Sequence, residues 1–147
     1  MSIGLAEAKA LVAAAQRKAV EIGKPVTITV VDTGGFSVVS ERMDGARPLT
    51  PSIAIAKAYT AAVMQRPTRM LKGWCDSQPT FFAQVSRMGH QPIVATDGGV
   101  TIKRNGDILG GLGVAGGTGE DDQVIAESAL RDCAFELEFA EWNTVRR

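Results

Sequence analysis

Histidine and cysteine are scarce in this chain. Its 147 residues include one histidine, His90, and two cysteines, Cys75 and Cys133. A structural zinc site draws four Cys or His ligands from short spacings, which three scattered candidates do not supply. A His-rich catalytic metal centre is excluded on the same ground, although a carboxylate-bound ion is not. One cysteine pair builds no disulfide framework and is what a reducing compartment commonly shows. No run reaches the ~18 apolar residues of a membrane span. The opening MSIGLAEAKALVAAAQRKA mixes acids with bases and has no basic start before an apolar core, so no signal peptide is read there. An excess of either charge is also lacking, since 16 basic residues balance 16 acidic ones. A sequence-independent nucleic-acid binder normally carries surplus base, so that role is not expected. Zero net charge leaves little repulsion between copies and permits self-association. The expectation is a soluble, cytoplasmic homo-oligomer with a small-molecule ligand, no metal site, and neither nucleic acid nor membrane as partner.

Hydrophobic residues make up 45% of the chain and charged ones 22%, which suits a globular domain and is too apolar for disorder. The length suits one domain over residues 1–147, and no repeat, low-complexity segment or linker divides it. Ser2 to Gly23 reads as a helix, with Leu5, Ala8, Val12, Ala15 and Ala19 as its apolar stripe, Ser2 as cap and Gly23 as stop. Residues 26–31 and 36–41 alternate as two strands around the turn Asp32-Thr33-Gly34-Gly35, an antiparallel hairpin. An Ala-rich second helix opens at Thr50-Pro51 and runs to about Met64.

Residues 65–92 carry Met70, Trp74, Phe81, Phe82 and Met88 with two short helical pieces, and suit a lid or an oligomer surface. Pro92–Ala95, Val100–Arg104 and Ile108–Val114 read as three further strands. Asn105-Gly106 joins the last two as a tight hairpin, because both central residues must take positive φ. The last strand, ILGGLGV, holds three glycines, which weaken a strand and point to close approach by a ligand, a helix or another subunit. After Gly116-Gly117-Thr118-Gly119 comes a long final helix, with Val124, Ala126, Leu130, Cys133, Ala134, Leu137 and Ala140 or Glu141 tracking its buried side. The fold class is α+β: a five-stranded antiparallel sheet with helices packed on it, in the order α-β-β-α-(short helices)-β-β-β-α.

The strings VVDTGGF…SERMDGA, IAKAYTA and DGGVTIKRNGDILGGLGVAGGTGEDD, in that order, resemble the GlcG/HbpS-like family over about Leu5 to Ala140. The resemblance implies a five-stranded antiparallel sheet between helical layers, often in higher oligomers. It also implies a small-ligand module: some members bind or degrade haem, some are fused to corrinoid adenosyltransferases, and others sit among genes for organic-acid or aromatic catabolism. Three positions depart from the family pattern. Asp97 stands where glycine is usual, Thr101 where proline is usual, and Ala115 where serine is usual. Some haem-binding relatives use a first-helix histidine, which this helix lacks. Haem here would need His90, Cys75, Tyr59, a methionine or an exogenous group as axial ligand.

Several residues are candidates for chemistry. The 116–119 turn leads into a helix, where backbone N–H groups either cradle an anion or only shape the turn. Glu120, Asp121 and Asp122 already complement the helix dipole there and would repel an anion. Lys57 sits among Ala54, Ala56, Ala58 and Ala61. It is either a desolvated base, nucleophile or carboxylate anchor, or a lysine that reaches water or pairs with an acid such as Asp32. Arg42 is a charged strand end, and Asp44-Gly45 a turn former. His90 is either a general base or haem ligand, or an exposed loop residue. Cys75 has only Lys72 nearby to activate it. Glu138 and Glu141 have an iron-holding spacing that a solvated helix face also explains.

Two functions follow. One is a module that holds a largely apolar ligand with an acidic group, such as haem or another tetrapyrrole. Its binding set is Asp32, Arg42, Lys57, Gly98, Gly99, Gly116, Gly117, Gly119 and Glu120, between the sheet, the second helix and the 97–101 and 116–120 turns. The alternative is a cofactor-independent isomerase, tautomerase or lyase acting on a small organic or aromatic acid. It would use Lys57, His90 or Asp97 as acid or base and Arg42 as carboxylate anchor. A structural subunit with an incidental pocket is the third reading.

Overall fold

The computed structural model describes residues 1–137. Helix α1 spans Leu5–Ile22, strands β1 and β2 span Thr27–Val31 and Ser37–Arg42, and helix α2 spans Thr50–Met64. A 3₁₀ turn at Thr68–Leu71 leads into α3 (Lys72–Ser77) and α4 (Pro79–Val85). Strands β3 (Gly99–Arg104) and β4 (Asp107–Ala115) and helix α5 (Gly119–Asp132) follow. The sheet is antiparallel in the order β2-β1-β4-β3.

The α+β class holds, but the described sheet has four strands rather than five. Pro92–Ala95 is not a strand because its backbone bonds run to helical elements instead. The Ile93 N–H donates to the Ser86 carbonyl and the Val94 N–H to Thr60 Oγ1, while the Ser86 hydroxyl donates to the Ile93 carbonyl. The apolarity of this run has a different cause, since Ile93 is buried with Tyr59, Leu71 and Phe82. That small cluster, with Val63 and Trp74 packed on it, also accounts for the aromatic content of the 68–95 segment.

Other expectations shift in detail. Helix α1 starts after Gly4 with no side-chain cap, and Ser2 bonds Thr33 instead. Leu5 is exposed, and the buried stripe runs through Ala8, Leu11, Val12, Ala15 and Ala19. Gly23 ends the helix in the left-handed conformation, as expected. The final helix stops at Asp132, and Ala134 takes a positive φ of 61°. Val124 faces solvent, whereas Asp122, Gln123, Ala126, Ala129 and Leu130 are buried. Ala140, and the Glu138–Glu141 spacing, lie outside the described residues.

Strand β1 is buried along its whole length because both sheet faces are covered. Ile28, Val30, Val100, Ile102, Leu112 and Val114 project toward α1 and α5 and form the main core. The opposite face is made of small residues: Thr27, Thr29, Thr101, Gly111 and Gly113 all lie on the α2 side. Alternation along each strand enforces this division. A Cβ on Gly111 would overlap the Ala58 carbonyl oxygen, and one on Gly113 the Ala54 carbonyl oxygen. The Thr101 hydroxyl donates to the Ala61 carbonyl at 3.0 Å. The helix therefore rests on the sheet backbone to backbone, and the close approach to β4 is made by a helix.

Gly113→Ala should destabilise the fold by about 1–3 kcal/mol, the usual cost of overpacking a filled core. Urea denaturation reads this directly, and an unchanged midpoint would mean that α2 can lift at no cost.

Candidate functional site

Close seating of α2 fixes where Lys57 goes. Its side chain is 5% exposed and runs to the C-terminal end of β4. There Nζ donates to the Val114 carbonyl at 2.8 Å and to Asp122 Oδ2 at 3.0 Å. Asp122 is equally buried, and its Oδ1 accepts the Gly117 N–H at 2.9 Å. Burial pushes the Asp122 carboxyl above its ordinary range, and the attraction and hydrogen bond of Lys57 partly offset this. The acid that pairs with Lys57 is thus Asp122, not Asp32.

Gly98 closes the pair from the side. Its φ is +110°, and a Cβ there would come within 2.8 Å of Lys57 Nζ and 2.9 Å of Asp122 Cβ. Its own N–H donates to Gln123 Oε1 at 2.9 Å. Gly99 opens β3, and its N–H donates to the Thr68 hydroxyl, which itself donates to the Thr96 carbonyl.

The pair forms part of the wall of an open cleft of about 380 Å³. Gly116, Gly117 and Gly119 line one side, and Arg47, Leu49, Thr50 and Ile53 line the other. Four expected site residues therefore converge here: Lys57, Gly116, Gly117 and Gly119. Gly98 backs them, and Gly99 follows it in the chain.

The remaining candidates lie elsewhere. Asp97 pairs with Lys72 at 3.0 Å and, with Glu120, lines an adjoining hollow that also includes Arg69, Gln123 and Glu127. Asp32 Oδ1 accepts the N–H groups of Gly34 and Phe36, a turn-forming arrangement. Arg42 is exposed at the end of the edge strand β2, opposite Thr27. His90 is exposed, stacks on Phe36 with ring centroids 4.3 Å apart and hydrogen-bonds the Gly34 carbonyl through Nε2. It is not among the residues lining the cleft.

The start of α5 is filled by the protein's own carboxylates. The Gly117 N–H goes to Asp122, and the Thr118 N–H to Asp121. The Asp121 N–H goes to the Thr118 hydroxyl, closing a capping box. Three N–H groups of the anion-cradle reading are thereby used within the chain. Among the described residues, no group of three His, Cys, Asp or Glu side chains is placed to hold a metal ion. No helix among them is long and apolar enough to cross a membrane.

Two charged residues outside the expected set also line the cleft, Arg47 and Asp122. Asp122 had a signal: it lies four, seven and eight residues before the buried Ala126, Ala129 and Leu130, on the same helical stripe. Arg47 had none, because its loop has no period from which to read a direction.

A family model described as "Haem degrading protein HbpS-like" matches residues 3–131. The chain belongs to the HbpS-like family. It is 38% identical to an uncharacterised 15.0 kDa protein of the dhaT-dhaS intergenic region of Citrobacter freundii, over 92% of this chain and 94% of that one. It is 35% identical to the Citrobacter freundii corrinoid adenosyltransferase PduO over 88% of this chain, but spans only 38% of that larger protein. A solved PduOC:haem complex superposes with a TM-score of 0.84 at 28% identity, covering 92% of this chain and 98% of that one.

Lys57→Met should cost about 3–5 kcal/mol at neutral pH, because it leaves Asp122 buried without its partner. The variant's Asp122 should hold its proton more tightly than the wild type's. A folded-state pKa raised above the ordinary 3.8 gives a contribution that is most favourable below that value and falls as pH rises through the folded value. Denaturation at several pH values should therefore show the deficit of Lys57→Met shrinking toward acid. A deficit that does not vary with pH would remove Asp122 as its source.

Proposed function

We propose that this chain is a small-ligand-binding module whose ligand, an apolar molecule bearing a carboxylate, sits in the cleft beside Lys57 and Asp122. The observation that carries this reading is Arg47. It lines the cleft, and no carboxylate of the described residues pairs with its guanidinium. Beside it, Leu49 and Ile53 are exposed apolar side chains on the same wall. A cation next to an apolar edge suits an amphipathic acid.

The haem-bound relative makes a tetrapyrrole the specific candidate. The cleft suits part of that ligand: Arg47 for a propionate, Leu49 and Ile53 for a ring edge. It does not suit iron ligation, because its lining holds no histidine, cysteine, methionine or tyrosine. Lys57 is already engaged by Asp122 and Val114, and His90 stands at the hairpin turn. In the cleft, a tetrapyrrole would be held by its acid and its ring, not through its metal.

Titration with haem and with iron-free protoporphyrin IX tests this. The expected result is similar affinity for both, no change in His90→Ala, and a loss of roughly 10-fold or more in Arg47→Met. Uptake of haem alone, abolished by His90→Ala, would place the ligand at the hairpin and overturn the cleft reading. Uptake of neither would restrict the module to smaller acids.

Homo-oligomeric assembly is part of the same proposal, supported by zero net charge and by the exposed Phe36, Phe81 and Met88. Light scattering at micromolar concentration should give a multiple of 15.5 kDa, and a monomer mass would remove it.

A further inference from the structure

Lys57 has a donor to spare. A lysine ammonium carries three N–H bonds, and among the described residues two acceptors take them, Val114 and Asp122. The side chain is 95% buried in the molecule, yet it lines the cleft. Because the side chain lines the cleft, a ligand oxygen there can accept the remaining N–H in place of solvent.

The charges of the cleft say what kind of oxygen this is. Among the described residues its lining holds Arg47 and Lys57 against Asp122, which is two cations and one carboxylate, a single net positive charge. Asp122 already neutralises Lys57 at 3.0 Å. A ligand carboxylate brought to Nζ would lie close to the Asp122 carboxylate with little water between them, and the two would repel. Asp121, beside that wall but not lining the cleft, is paired with Lys24 at 3.8 Å and engaged in the capping box, so it does not alter this balance. Arg47 is under no such constraint. It is exposed and unpaired by any described acid.

Resting on the reading of the cleft as an acid site, we infer that its ligand carries one carboxylate and a second, uncharged oxygen acceptor. Arg47 holds the carboxylate, and the third N–H of Lys57 holds a carbonyl or ether oxygen. The cleft thus favours a single carboxylate and an uncharged oxygen on an apolar body that lies along Leu49 and Ile53; a tetrapyrrole would place one propionate at Arg47, keep the other outside the cleft and leave the Lys57 donor unused. The Lys57–Asp122 pair acts as a neutral donor, offering a strong hydrogen bond without inviting a second anion.

Calorimetric titration of the wild-type protein with a small series tests this and needs no variant of the buried pair. The probes are 4-phenylbutanoate, its 2-oxo and 4-oxo derivatives, and phenylsuccinate as the dianion. At least one oxo-acid should bind about 10-fold tighter than 4-phenylbutanoate, as a charge-assisted hydrogen bond implies. Phenylsuccinate should bind no tighter than 4-phenylbutanoate. Arg47→Met, an exposed change away from the core, should weaken every member of the series. If the three monocarboxylates bind equally, the role of Lys57 is overturned while the acid site stands. Tighter binding of phenylsuccinate overturns the charge argument. If no member of the series binds, or Arg47→Met changes nothing, the reading of the cleft as an acid site fails and the oxo-acid inference falls with it.

Discussion

Helix α2 rests on glycine. At Gly111 and Gly113 there is no room for a methyl group between strand and helix, so the main chains of the two elements meet directly. Dispersion contacts at such short range are dense, and the hydroxyl of Thr101 adds a hydrogen bond to the helix backbone. Everything on α2 is positioned by this seat. Lys57 reaches the end of β4 because the helix above it stands so low. On the same helix, Tyr59 and Val63 meet the residues of the 68–95 segment.

The chemistry at the cleft depends on that placement and on the start of α5. A helix N-terminus ordinarily offers free N–H groups to an anion. Here Asp121 and Asp122 take up those at Gly117 and Thr118. Asp122 does two things at once, since one oxygen ties the glycine turn and the other meets Lys57. Breaking either contact would loosen the other. The positive charge left available in the cleft sits at Arg47, on the loop that leads into α2.

Much of this was legible in the residues. The hairpins announced themselves through Asp32-Thr33-Gly34-Gly35 and Asn105-Gly106, and Asn105 and Gly106 do take positive φ, 53° and 79°. Glycines 111 and 113 pointed to a close approach. The fifth strand is absent from the described sheet: burial alone gives Pro92–Ala95 the look of a strand, while its hydrogen-bond partners are Ser86, at the end of α4, and Thr60, on α2. The sequence overstates the extent of α5 because apolar residues continue past Asp132, beyond the point where the helical conformation ends. A lysine among alanines marks Lys57 in the sequence, but the acid it pairs with lies on α5 and not at the Asp32 turn. A pair separated by 65 positions leaves no local trace, and only the helical stripe through Ala126 and Leu130 pointed at Asp122.

The glycine seat also divides the molecule into a part that cannot drift and a part that can. Where two main chains touch, even an added methyl group must displace the helix at a cost in stability, so the position of Lys57 is held in any variant that keeps Gly111 and Gly113. Arg47, Leu49 and Ile53 are exposed and make no comparable demand on the core. New ligand preferences can therefore arise by changing the rim one residue at a time, each step leaving the foundation intact. A fold built this way is suited to diversification: one fixed polar anchor, with a mouth open to revision.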